Sequence, residues 1–96
     1  MTDRPLLTLA SVPRLAAHRR LRRDPKRGVW TVQAPERCFI LDQTAHAVIA
    51  RCDGKASVGA IVESLCVSFP DAPPDRIATD VTHLLQDLAD KGVIAA

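Results

Sequence analysis

The stretch "APERCFILDQTA", Ala34–Ala45, decides the fold. Pro35-Glu36 turns the chain. Arg37–Leu41 then reads as a strand, with Cys38 and Ile40 on one face and Phe39 and Leu41 on the other. Asp42 follows at once and reads as a helix N-cap. Its carboxylate can accept a free N–H of the first turn, and its charge suits the positive end of the helix dipole. A strand that is apolar on both faces needs cover beyond a single core. Either the helices that follow cover one face or a partner does.

Towards the N-terminus, Asp24-Pro25-Lys26-Arg27-Gly28 reads as a tight turn, with Asp at its start, Pro setting φ and Gly allowing a positive φ on exit. "VWTVQ" after it, residues 29–33, is rich in β-branched and aromatic residues and reads as a strand with Trp30 in the core. "LAAHRRLRRD", residues 15–24, is ambiguous by composition, and its place before the turn favours a strand. Residues 1–17 read as an arm: "PLLTLASVP" carries Leu7 and Leu9 at strand alternation between Pro5 and Pro13.

Towards the C-terminus the period changes to that of helices. Ala45, Val48, Ile49 and Cys52 fall at helical spacing until Asp53-Gly54. Ser57 caps a second helix with a stripe of Val58, Ile61, Val62, Leu65 and Phe69, which Pro70 stops. Pro73-Pro74 opens a third, whose apolar face is Ile77, Val81, Leu84, Leu85 and Leu88, with Gly92 as its stop. "VIAA" is a short extended tail that packs back on the core. The fold class is therefore α+β: a small winged-helix-like domain over residues 18–96, a three-stranded antiparallel sheet followed by three helices.

Charge is unevenly spread. Residues 1–37 hold nine of the 13 Lys and Arg against three acids, and residues 38–96 hold four against eight. Each half can select a partner of opposite sign. No segment reaches the roughly 20 apolar residues that span a bilayer, and no apolar run near the N-terminus suits a signal peptide, so a cytoplasmic protein is expected. Cys38, Cys52 and Cys66 lie in apolar patterns and read as buried reduced thiols.

Catalytic and metal chemistry find no support in the pattern. His18, His46 and His83 fall in separate elements without a second ligand at helical spacing, and the cysteines are 14 residues apart, which matches no zinc motif. "DPKRG" lacks the ending of a phosphate loop, and no nucleophile motif is present. No enzyme activity, metal or cofactor is expected. Asp87 and Asp90 read as a solvated helix face. A winged helix that binds nucleic acid is the alternative, supported by the basic "RRLRRDPKR". The third helix argues against it: Asp75, Asp80, Asp87 and Asp90 outnumber Arg76 and Lys91, so it would meet phosphates with net negative charge.

The pieces "DPKRGVWTVQAPERCFILDQTA" (24–45), "CDG" (52–54) and "DVTHLLQDLADKG" (80–92), in this order and spacing, resemble the PqqD family of pyrroloquinoline quinone (PQQ) biosynthesis. The resemblance implies a leader-peptide recognition element. Such proteins bind the ribosomally made precursor PqqA and present it to the radical SAM enzyme PqqE, which joins a Glu and a Tyr side chain within the precursor. It also implies that the peptide adds as a strand beside the third strand, over the third helix. Carried onto this chain, the peptide-binding residues are Arg37, Cys38, Phe39, Ile40 and Leu41, facing Asp80, Val81, Leu84, Leu85, Gln86 and Leu88. A free strand edge independently suits that role, because it offers unpaired N–H and C=O groups to an extended peptide. One departure is visible: the family often has an acid at the position of Ala60, so the capping box begun by Ser57 is incomplete here.

An open edge can also pair with unintended segments. The arm, Pro5–Val12, is expected to dock on a sheet edge or apolar groove, preferentially of a second copy, which would give a homodimer.

Overall fold

The computed structural model of the protein describes residues 6–96. Its main sheet is a meander of β2 (Arg20–Asp24), β3 (Val29–Gln33) and β4 (Cys38–Leu41), in the order β2-β3-β4. Three helices follow: α1 (Gln43–Ile49), α2 (Val58–Ser68) and α3 (Pro74–Asp90). Two further strands are very short. β1 (Arg14–Leu15), within the segment read as an arm, pairs antiparallel with β5 (Ile94–Ala95), within the tail. The third strand of the sequence reading is thus β4.

Local chemistry accounts for the turns. The Asp24 carboxylate accepts the N–H groups of Lys26 and Arg27, the Gly28 N–H donates to the Asp24 carbonyl at 2.8 Å, and Gly28 sits at φ +68°. The β3–β4 turn closes with the Ala34 N–H on the Arg37 carbonyl, also at 2.8 Å. Asp42 caps α1 through the Ala45 N–H at 2.7 Å, and Ser57 caps α2 through the Ala60 N–H at 3.1 Å.

Register assigns the faces. Cross-strand rows Leu21–Val32–Phe39 and Arg23–Trp30–Leu41 point one way, and Arg22–Thr31–Ile40 points the other. The helices cover the first face, where Val32 and Leu41 join Val48, Ile61, Val81, Leu85 and Val93 in one buried cluster. The second face has no such cover, and Ile40 is 60% exposed on it. Cys38 shares that face and is exposed, which corrects its reading as a buried thiol; Cys52 is buried and Cys66 half-buried. Trp30 is half-buried rather than fully in the core, with its ring stacked on His46 at 4.3 Å between centroids. Phe69 does not extend the stripe of α2 but forms its C-cap, 42% exposed.

The described part of the arm docks on its own chain, and not on the β4 edge. The carbonyls of Ser11 and Leu9 accept the N–H groups of Val58 and Gly59, at 2.8 and 2.9 Å. These are first-turn donors of α2 that no intrahelical acceptor can reach. Further out, the Leu7 N–H donates to Gln86 Oε1 of α3 at 2.9 Å. The arm thus satisfies the first two helical donors of α2, which are different groups from the Ser57 N–H that an acid at Ala60 would have accepted. Pro5, the first residue of the expected docking segment, lies outside the described residues.

α3 ends in a Schellman motif. Gly92, at φ +76°, donates to the Ala89 carbonyl at 3.0 Å, and the Val93 N–H reaches back to the Leu88 carbonyl at 2.8 Å. Val93 and Leu88 are both buried. A Cβ at Gly92 would meet nothing nearer than 3.6 Å, so the demand for glycine is one of backbone conformation, not of space. Gly92→Ala is expected to lower the unfolding free energy by about 1–2 kcal/mol, the usual excess of the left-handed conformation for an L-residue. Urea denaturation should show a lower midpoint at unchanged slope.

Candidate peptide-binding groove

Among the described residues β4 pairs only with β3, so its outer edge is open. The C-terminal end of α3 comes near that edge, where Lys91 and Val93 line a hollow together with Phe39. Residues spaced 4, 7 and 11 apart share one side of a helix. Asp80, Leu84, Asp87 and Lys91 therefore form a stripe along α3, and a hollow opens at each end of it. Near Lys91, a hollow of about 200 Å³ lies between Phe39 of β4, the Ala34–Arg37 turn, Arg19, Lys91 and Val93. Near Asp80, one of about 180 Å³ lies between Thr44 and Ala47 of α1, Leu65 and Phe69 of α2, and Ile77 and Val81 of α3. The second is mainly apolar-walled. Leu84, between them on the stripe, is half-buried.

The residues read as peptide-binding separate into four groups. Arg37 and Phe39 line one hollow and Asp80 the other, and Leu84, between them on the stripe, is partly buried against the core. Leu41, Val81, Leu85 and Leu88 are buried core, at 6, 3, 0 and 5% exposure, and act as the wall behind it. Cys38 and Ile40 point to the open face of the sheet, so only their backbone edges belong to the groove. Gln86 lies two residues from Leu84, about 200° around the helix, and its amide is held by the arm and by Asp90. Sequence reasoning missed Arg19, which enters the groove from just before β2; for Lys91, which closes it from the end of α3, the sequence favours a solvated face over docking. Arg19 carries no local motif, and the fold brings it to Lys91.

Electrostatics differ along the groove. The Arg37 guanidinium lies over the Phe39 ring, 5.0 Å from its centroid. Lys91 pairs with Asp87 at 3.0 Å, and Asp80 with Arg76 at 3.9 Å, both on exposed helix surface where such pairs add little stability. Among the described residues no three His, Cys, Asp or Glu side chains come together as a metal site.

Comparison with known proteins gives the lineage. The sequence pattern described as coenzyme PQQ synthesis protein D (PqqD) matches residues 30–94. This chain belongs to the PqqD family. It is 44% identical over 85 residues to a PqqA binding protein of Bradyrhizobium diazoefficiens, covering 88% of this chain and 82% of that one. A PqqA binding protein of Gluconobacter oxydans is 40% identical over 95 residues, covering 98% of each chain. The solution NMR structure of the PqqD truncation of Methylobacterium extorquens PqqCD, described as a stand-alone RiPP recognition element, superposes with a TM-score of 0.79. It is 38% identical, over 94% of this chain and 95% of that one. The crystal structure of PqqD from Xanthomonas campestris gives a TM-score of 0.54 at 39% identity, over 88% and 93%. The three-stranded antiparallel sheet with three helices is thus the architecture of solved PqqD structures.

The cysteines of this PqqD-family chain differ in reactivity. Burial, helped by the neighbouring Asp53 charge, pushes the Cys52 thiol up from 9.0 to about 12. A group whose pKa rises on folding favours the folded state below its unfolded value, and that contribution is lost as pH climbs from about 9 to about 12. At pH 8, a disulfide reagent should modify Cys38 first and Cys66 more slowly. Cys52 should react only on the timescale of unfolding. Mass mapping of the labelled peptides reads this order directly.

Proposed function

We propose that this protein binds the PQQ precursor peptide PqqA as an added strand on β4, over the Asp80–Lys91 stripe of α3, and presents it to the radical SAM enzyme PqqE in the cytoplasm. The observation that carries the reading is the open β4 edge beside a groove with a hollow at each end, in a family whose relatives are named PqqA binding proteins. Main-chain hydrogen bonds along β4 supply affinity, and side-chain hollows supply selectivity. The role is one of binding and delivery, not catalysis. Cys38 and Ile40, on the far face, stay clear of the peptide and leave that face for the enzyme. No helix among the described residues is long and apolar enough to cross a membrane.

Self-association fits the same edge. An exchange of arms between two copies would first have to break the bonds of Leu9 and Ser11 to α2. A homodimer is therefore proposed through β4, and precursor peptide would compete with it.

Isotope-edited NMR during titration with PqqA tests the reading. Amide shifts are expected along Arg37–Leu41 and at Asp80, Leu84 and Lys91. Shifts confined to α2 would overturn it. Leu84→Asp is expected to weaken binding by about tenfold or more, since it puts a charge into the apolar middle of the groove, with the fold retained by circular dichroism.

The nucleic-acid alternative has the basic β2–β3 hairpin in its favour and the acidic α3 against it. Retention on DNA through Arg20, Arg22, Arg23, Lys26 and Arg27 is expected to be weak and to vanish by about 200 mM salt. Filter binding across a salt series checks this, and tight binding at that salt would promote the alternative.

A further inference from the structure

We propose that the hollow beneath the β3–β4 turn is a carboxylate subsite, selecting a precursor with an Asp or Glu side chain where the peptide passes Arg37. The proposal rests on strand addition at β4 and deepens it. Three cations from distant parts of the chain converge there: Arg19 before β2, Arg37 at the head of β4 and Lys91 at the end of α3. Arg19 supplies the decisive detail. Its Nη1 donates to the Ala17 carbonyl at 2.6 Å, yet its Nε is buried without an acceptor. Buried donors are nearly always bonded, so the orphaned Nε marks a guanidinium whose hydrogen bonding is incomplete in the free protein, and a carboxylate entering the hollow that Arg19 lines can complete it once the side chain turns.

The other walls fit the same ligand. The face of the Arg37 guanidinium is engaged with Phe39, which leaves its N–H edge for an oxygen. Among the described residues Lys91 pairs with Asp87, in an exposed pair that a new carboxylate can share. Glu36 at the rim and Asp87 oppose the three cations, and the balance stays positive. Phe39 and Val93 give the methylenes of a Glu or Asp an apolar floor, and about 200 Å³ is room for one such side chain.

The stripe also sets a spacing. Asp80 and Lys91 are 11 residues apart on α3, about 16 Å at 1.5 Å per residue. An extended peptide covers that in roughly five residues. The selected acid therefore lies roughly five residues from the side chain that enters the apolar hollow near Asp80.

The test uses PqqA of the same organism, with each Asp and Glu changed in turn to its amide, titrated calorimetrically into the wild-type protein, Arg19→Gln and Arg37→Gln. One amide substitution is expected to weaken binding to wild type about tenfold, and to cost clearly less in either variant, because one of the carboxylate's three partners is already gone. The two variants themselves should bind unaltered PqqA about tenfold more weakly. Equal losses at that position in wild type and variants, or no loss at any acidic position, would overturn the subsite and leave strand addition standing. Failure of unaltered PqqA to bind wild type would overturn both. Circular dichroism checks folding. Arg37, being exposed, carries the test if Arg19→Gln unfolds.

Discussion

Three strands of four or five residues do not hold together by their ladders alone. The sheet exists because Val32, Leu41 and Phe39 place one face against the helices, and everything else follows from that one-sided burial. It fixes register, since a slip by one residue would send Val32 and Leu41 into solvent and Thr31 and Ile40 into the core. It also leaves β4 in a particular position: anchored by its inner face, paired on one edge, and free on the other. A binding edge must be both rigid and unsatisfied, and one-sided burial meets both demands at once.

The helices are held by backbone groups as much as by their apolar stripes. Asp42 and Ser57 satisfy one first-turn donor each, and the arm satisfies two more on α2. Leu6 and Leu9 of the arm stay exposed, so its attachment comes mainly from hydrogen bonding to orphan donors and only in part from burial at Leu7. Asp53 plays a similar part in the α1–α2 loop. Its carboxylate accepts the N–H groups of Ala56 and Lys55, which hold it below its ordinary 3.8. That stabilisation is present above the ordinary carboxylate range and fades as pH falls through the lowered value.

Much of this was legible in the sequence because it is local. Asp24-Pro-Lys-Arg-Gly, Asp42, Ser57, Pro74 and Gly92 each impose a conformation within four residues, and the structure has a turn, cap or stop at every one. The alternation in "CFIL" likewise put Phe39 and Leu41 on the face towards the third helix. The rest depends on partners far away in the chain. β1 and β5 are two residues each, too short to carry a pattern. The arm binds through carbonyls that any sequence possesses. Helical periodicity marks Val81, Leu84, Leu85 and Leu88 alike as apolar, but only packing shows that Leu84 stays half-buried while the other three join the core. Arg19 and Lys91 belong to the groove by the same non-local logic.

The stacking of Trp30 on His46 gives the molecule an optical reporter. The chain has one tryptophan and no tyrosine, so its near-ultraviolet emission comes from a single indole. That indole rides on β3, opposite Leu41 at the end of β4, and its ring overlaps a side chain of α1. Any event that strains β4 or tilts α1 changes the overlap, and with it the quenching of the indole. The fluorescence of the unlabelled protein therefore reports on the hinge between edge strand and first helix.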